Sequence, residues 1–247
     1  MIALRHITVR FGKREILNDI SADIAGGRIT AVMGPNGCGK TTLLRCIGGL
    51  LAPQRGEARV DGRPVLDYPA RELARKVAFV RQQAQTDFDF TAFETVLMGR
   101  NPYQKRLQNE SQADRDIVEH CMRQTHTWHL RHAKPGQMSG GELQRVMIAR
   151  ALAQQTPVLL MDEPVSNLDI AHQLEIMHLL REASDKTVVI VIHDLNLARQ
   201  FCDDLLLFLG GGLLYQGPLA DGLTPDRIST VYGVQSHLTD GSIIFNY

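Results

Sequence analysis

The sequence has no long apolar run, no excess of either charge and no paired cysteines, and each absence removes a class of protein. Its greasiest stretches, "TVVIVIH" and "LLLFLGGGLL", fall well short of the roughly 20 apolar residues that a membrane-spanning helix needs. The N-terminal "MIALRHITVRFGKREI" alternates apolar and polar residues and lacks the continuous core of a signal peptide, so the chain is expected to stay in the cytosol. Lysine plus arginine equals aspartate plus glutamate at 27 each, which leaves no basic field to recruit nucleic acid. Cys38, Cys46, Cys121 and Cys202 are scattered without CxxC spacing, which argues against a disulfide framework or zinc site and for reduced, buried thiols.

What is present is an alternation of strands and helices over 247 residues, long enough for one large α/β domain. "IALRHITVRF" and "EILNDISADI" alternate at period two around "GKR", which predicts a hairpin. "RITAVMG" reads as a short buried strand entering a glycine-rich turn and an apolar helix, "KTTLLRCIGGLL". "PQRGEARVDGRPV" predicts another hairpin and "KVAFV" another strand. From about residue 84 to residue 150 strand signals nearly vanish, and "TAFETVLMGR", "SQADRDIVEHCMRQTHTWHL" and "GGELQRVMIARALA" predict helices. The expected organisation is therefore one domain over 1–247 with a helical subdomain inserted at about 84–150. Strands "PVLLMD" and "TVVIVIH" then alternate with helices "DIAHQLEIMHLLREA" and "DLNLARQFC". Continuous apolar strands of this kind suit a parallel sheet covered on both faces. "GGG" at 210–212 predicts a late hairpin turn and "TPDRISTVYG" a short helix.

"GPNGCGKT" fits G-x-x-x-x-G-K-[ST] at every fixed position, between a strand and a helix. Gly34, Gly37 and Gly39 let backbone amides curl around phosphate, Lys40 reaches the outer phosphates, and the Thr41 hydroxyl is placed to ligand magnesium. At average glycine usage the pattern arises by chance in roughly one chain in a hundred, and its strand–loop–helix setting makes chance rarer still. Magnesium calls for carboxylates, and "VLLMDE" supplies Asp162 and Glu163 at a strand's C-terminal end. Asp162 is expected to orient the metal, and Glu163 to orient or deprotonate the attacking water. Pro164 is expected to hold Glu163 extended. His193 ends another apolar strand, either as a packed or capping residue or in contact with the terminal phosphate. His126, His129 and His132 stand three apart, as a metal site or as a solvated helix end.

With "GPNGCGKTT", "MSGGELQR", "VLLMDEPVSNLD" and "VIVIHD" in this order, the whole chain resembles the ATP-binding subunit of an ABC transporter. The resemblance implies a P-loop α/β core with an N-terminal antiparallel β-subdomain and the helical insertion, and ATP and Mg2+ as ligands. It assigns the run Gly34, Pro35, Asn36, Gly37, Cys38, Gly39, Lys40, Thr41 and Thr42 to the phosphates, and Phe11 to adenine by stacking. It identifies Gln82, with Gln83 as the less favoured choice, as the glutamine that joins Thr41 and Asp162 at the metal, and places Gln82 in catalysis together with Lys40, Glu163 and His193, the switch histidine. Asp169 ends its D-loop. Ser139, Gly140, Gly141 and Glu142 form its signature, here beginning with Met138 and carrying Glu142 where glutamine is more familiar.

The resemblance further implies that two copies close face to face, each phosphate loop meeting the other's signature. A helix N-terminus stabilises an anion by about 0.3 to 2 kcal/mol, so the signature helps close the site without holding ATP alone. "DFDFTAFETVLMGRNPY" resembles the branch that imports ferric siderophores, haem and cobalamin through a separate permease dimer and an extracytoplasmic binding protein. That would place the chain peripherally on the cytoplasmic face of the membrane. Gly99, Arg100 and Tyr103 are then candidate permease contacts, or else a helix C-terminus with Gly99 as terminator and Arg100 on the dipole. The alternative outside transport is a soluble ATPase of iron–sulfur assembly that binds scaffold proteins.

Overall fold

The computed structural model describes residues 1–82, 89–104, 110–183, 185–239 and 241–246. Gln83 and the start of the 84–150 stretch lie outside the described residues. Period-two alternation produces the predicted first hairpin, β1 (Ile2–Phe11) and β2 (Arg14–Ile24), with Ile2, Leu4, Ile7 and Val9 buried on β1. β3 (Ile29–Met33) is buried at every position and feeds the glycine loop into α1 (Lys40–Ile47). β4 (Arg55–Val60) and β5 (Arg63–Pro64) form the second hairpin, and α2 (Ala70–Leu73) leads to β6 (Val77–Val80).

The helical stretch follows as α3 (Ala92–Leu97), α4 (Gln112–Gln124) and α5 (Gly140–Ala153). Then come β7 (Val158–Asp162), α6 (Ile170–Glu182), β8 (Thr187–Val191) and α7 (Leu195–Phe201). β9 (Asp204–Leu209) and β10 (Gly212–Pro218) form the late hairpin, followed by α8 (Leu219–Gly222), α9 (Pro225–Tyr232), β11 (Gln235–Thr239) and β12 (Ser242–Asn246).

The main sheet has the order β10-β9-β3-β8-β7-β6, with β9 to β6 parallel and β10 antiparallel at one edge. A second sheet, β2-β1-β4-β5, is antiparallel. Side chains alternate along the central strands between two cores. Met33, Leu159, Met161, Val188 and Ile190 pack with α6, α7 and α9, while Val32, Leu160, Val189 and Val191 pack with α1 and the antiparallel sheet. This explains why those strands read as uninterrupted apolar runs.

A third core joins α3, α4 and α5. α5 links it to the main sheet: Val146, Ala149 and Ala153 face the helices, whereas Ile148 and Ala151 face the sheet core. The apolar positions therefore surround much of the helix, as expected for one packed on two sides. No helix among the described residues is long and apolar enough to cross a membrane. All four cysteines are free and buried.

Two local readings need correction. α4 ends at Gln124 and Thr125 caps it, so the histidine cluster lies on a turn with His126 at φ 53 and a short 3-10 segment at Trp128–Leu130, not on a helix end. Among the described residues no group of histidine, cysteine or carboxylate side chains is arranged to hold a metal. Gly99 is no helix terminator; it lies where a Cβ would fall 2.3 Å from the Arg150 carbonyl oxygen, so it is required by close packing of α5. Arg100 is buried, donates to Asp114 at 2.9 Å and to the Ala153 carbonyl at 2.8 Å, and so is committed to joining the helices. Its guanidinium also stacks on Tyr103, whose hydroxyl donates to the Gln154 carbonyl at 2.9 Å. These contacts account for all three residues within the chain.

Candidate functional site

Three parallel strands deliver chemistry to one end of the sheet. β3 runs into the glycine loop, β7 ends at Asp162 with Glu163 next, and His193 follows shortly after β8. The carboxyl end of a parallel sheet is where such folds place ligands. The loop depends on left-handed glycines: Gly34 has φ 143 and Gly39 φ 104. A Cβ on Gly34 would meet the Phe208 carbonyl oxygen at 2.5 Å, and one on Gly39 would meet Leu17 at the same distance. Neither position accepts another residue without backbone movement.

The loop is internally braced. Lys40 is 6% exposed, and its ammonium donates to the carbonyls of Gly34 at 2.8 Å and Pro35 at 2.9 Å. The Thr41 hydroxyl donates to Asp162 at 3.0 Å. Burial lifts Asp162 above the usual carboxylate range, opposed by the Thr41 hydrogen bond and reinforced by neighbouring Glu163. Burial likewise raises the Cys38 thiol, against the field of Lys40. The hard oxygen pair of Thr41 and Asp162 suits magnesium, and Gln82 lines a groove in common with both.

Glu163 is held from both sides. The Gln82 amide donates to one carboxylate oxygen at 2.7 Å, and His193 Nε2 lies 2.7 Å from the other. The expected extended backbone is overturned: Glu163 has φ 49, in the left-handed region. Proline disfavours the right-handed helical alternative at the preceding residue. The left-handed turn is held by the Glu163 amide donating to the Val191 carbonyl at 3.2 Å and by Ser166, whose hydroxyl donates to the Glu163 carbonyl at 3.0 Å. Such a backbone costs on the order of 1–3 kcal/mol in a non-glycine residue, and here it aims the carboxylate between its two partners.

These groups share a cleft of about 590 Å³ that also includes Phe11, Asn36, Gly37 and Thr42. Phe11 is 53% exposed at the cleft's margin, a costly position for an apolar ring unless a flat ligand covers it. Arg14 and Ile16 of β2 line the cleft as well, although the motifs do not point to them. Arg14 carries one visible signal, its position in the basic turn just after Phe11.

Ser139, Gly140, Gly141 and Glu142 do not line this cleft. Ser139 caps α5: its hydroxyl accepts from the Glu142 amide at 3.2 Å, and Glu142 accepts from the Ser139 amide at 2.7 Å. This reciprocal cap explains why a carboxylate serves at position 142. The Ser139 amide holds Glu142 below the usual carboxylate range. Gly141 sits against the segment ending in Asp169, where a Cβ would fall 3.3 Å from the Asn167 carbonyl oxygen, whereas a Cβ on Gly140 would meet nothing within 4 Å. Asp169 itself caps α6 by accepting from the His172 amide at 2.9 Å.

A larger groove of about 810 Å³ adjoins the site, sharing Thr41, Gln82 and Asp162 with it. It extends between α2 and α5 past Tyr68, Leu73, Phe79 and Met147.

The sequence profile of the ABC transporter family matches residues 17–166. The chain is 35% identical over 240 residues to the ferric enterobactin transport ATP-binding protein FepC of Escherichia coli, covering 96% of this chain and 89% of that one. It is 37% identical to the hemin import ATP-binding protein HmuV of Bordetella parapertussis, covering 94% and 92% respectively. Its fold matches a dimeric post-hydrolysis state of the ATP-binding cassette MJ0796 bound to ADP and Pi, with a TM-score of 0.80, 33% identity, and coverage of 89% of this chain and 99% of that one.

Proposed function

The chain belongs to the ABC transporter family, and from that membership we propose that it is the ATP-hydrolysing subunit of an importer for a metal chelate of the ferric siderophore, haem or cobalamin class. Two copies close around two ATP molecules and drive a separate permease dimer. The relatives that carry ferric enterobactin and hemin import in their names support the substrate class and favour transport over the iron–sulfur assembly alternative. The subunit sits peripherally on the cytoplasmic side, served by an extracytoplasmic binding protein.

The carrying observation is the division of the site. The cleft gathers Lys40, Thr41, Gln82, Glu163 and His193, with Asp162 hydrogen-bonded to Thr41, while the capped helix start at Ser139 to Glu142 stands outside it and open at Gly140. Amides of Gly34 to Thr42 cradle the phosphates, Phe11 stacks on adenine, and the Lys40 ammonium exchanges its carbonyl partners for phosphate oxygens. Glu163 orients a water toward the terminal phosphorus and accepts its proton, with Gln82 and His193 keeping the carboxylate in place. Thr41, Asp162 and Gln82 would hold magnesium, which when bound neutralises phosphate charge. The second copy's Ser139, Gly140 and Gly141 add helix-terminal amides to the outer phosphate, and Asp169 lies beside them at the closing face.

Because the outer phosphate is what both halves contact, its presence favours closure and its loss releases it. The test is Glu163→Gln with size-exclusion chromatography and phosphate release. An ATP-dependent dimer with suppressed turnover is expected; turnover at the unmodified rate would remove Glu163 from the role of base.

A further inference from the structure

His126 and His129, two of the three histidines spaced three apart in the sequence, open onto a cavity of about 540 Å³ away from the nucleotide cleft. Arg123 of α4, Arg145 of α5 and His172 of α6 line it with them. Arg145 is the buried member of the lining: it is 7% exposed, and its Nε is buried with no hydrogen-bond partner among the described residues. A buried guanidinium donor left unpaired is costly, and native structures leave few of them. The two carboxylates that feel the charge of Arg145 are engaged elsewhere, Glu142 with the Ser139 amide at 2.7 Å and Asp169 with the His172 amide at 2.9 Å.

The rest of the lining supplies more donors. Arg123 donates to Glu119 at 2.9 Å and lies 5.2 Å over the Trp128 ring, His126 Nε2 is 3.8 Å from Glu175, and His172 Nδ1 is 2.8 Å from Asp169. None of these contacts exhausts its residue, because a guanidinium carries five N–H groups and an imidazole engaged through one nitrogen keeps the other. Glu175 is the single carboxylate on the lining, against two guanidiniums. A metal ion would be repelled by that balance, and an apolar ligand would leave the Arg145 donor stranded. We propose that this cavity binds a phosphate group, free or as a small monoester, with Arg145 donating from below and Arg123, His126 and His129 closing on the outer oxygens. The planar fork of arginine matches two phosphate oxygens at once, and the further oxygens suit donors arriving from other directions, which the two of a carboxylate would not. A phosphate held there ties α5, which starts at Ser139 and its glycines, to α6, which starts at Asp169. It thereby fixes the relative placement of the two elements assigned above to the closing face.

Trp128 lines the cavity and is the only tryptophan in the chain, so its fluorescence reports this site. Inorganic phosphate and glycerol 3-phosphate are titrated separately into the full chain at constant ionic strength, with chloride as the control anion. A saturable change in Trp128 emission with at least one phosphate and none with chloride is expected, and the tighter of the two tells a free anion from an ester. Arg145→Gln should weaken binding at least about tenfold. His129→Gln should weaken it about threefold, whereas Glu175→Gln, which removes the opposing carboxylate, should tighten it about threefold. Lys40→Ala, altered only at the glycine loop, should keep the response. If Arg145→Gln does not fold, the opposite shifts at the exposed positions 129 and 175 decide. The proposal is overturned by emission that does not saturate with either phosphate, by folded Arg145→Gln binding as tightly as the unmodified chain, or by His129→Gln and Glu175→Gln failing to shift in opposite directions. Loss of the response in Lys40→Ala overturns it too, since the anion would then sit at the glycine loop.

Discussion

The glycine loop and the start of α5 are both helix N-termini rich in glycine, yet they are finished in opposite ways. At the loop the side chains proposed to bind and act on the nucleotide already have partners: Lys40 on two carbonyls, Thr41 on Asp162, Glu163 between Gln82 and His193. At α5 the cap is closed within the chain by Ser139 and Glu142, but Gly140 faces empty space. Glycine at a helix start is less favourable than alanine unless something requires the missing side chain. For Gly34 and Gly39 the requirement lies inside the chain; at Gly140 no neighbour imposes one, and the proposed second copy supplies it. On the proposed function, the contrast separates a half-site that holds the ligand from one that the other copy's ligand approaches.

The largest effect expected is at the first half. Glu163→Gln removes the base while keeping both hydrogen-bonding positions, and phosphate release should fall about 100-fold or more, with ATP-dependent dimers accumulating on a sizing column. The sharpest separation comes at the second half. Gly140→Arg has room in the single chain, so melting temperature and monomer affinity for MgATP should hold while hydrolysis falls at least about tenfold, or about 1.4 kcal/mol. Loss of ATP binding by the monomer would erase the distinction between the two halves.

A smaller change is expected from Phe11→Ala. Loss of stacking worth about 0.5–1.5 kcal/mol weakens ATP binding about 2- to 12-fold in calorimetric titration, without loss of stability, since the ring is half-exposed. The smallest effect is on stability of the nucleotide-free chain. Asp162 has a raised pKa, so its contribution is most favourable below the ordinary carboxylate range and is lost as pH rises through its own elevated value. Asp162→Asn should raise the melting temperature at neutral pH and flatten its dependence on acidity, while weakening the magnesium dependence of ATP binding.

The parts of this site written in consecutive residues are legible in the sequence itself. Gly34 to Thr42 form a local turn whose chemistry follows from spacing, and β3, β7 and β8 announce themselves as apolar runs. What depends on distant partners is hidden there. Glu163 reads as an extended residue before proline, but its left-handed backbone is set by Val191 and Ser166 and its carboxylate by Gln82 and His193. Arg100 reads as a charge on a helix dipole, and only the packing of α4 and α5 reveals its ion pair with Asp114. The hairpin of β11 and β12 escapes sequence reading because only Ile243 on it is buried, leaving little alternation to detect.

The central claim, that the capped helix of one copy completes the cleft of the other, is tested most directly by mixing two inactive chains. Lys40→Ala disables the cleft and leaves the signature; Gly140→Arg disables the signature and leaves the cleft. In a mixed dimer one site carries both defects and the other carries neither. ATP hydrolysis suppressed in either variant alone should rise on mixing, as one intact site forms; a mixture no more active than its components would contradict the account.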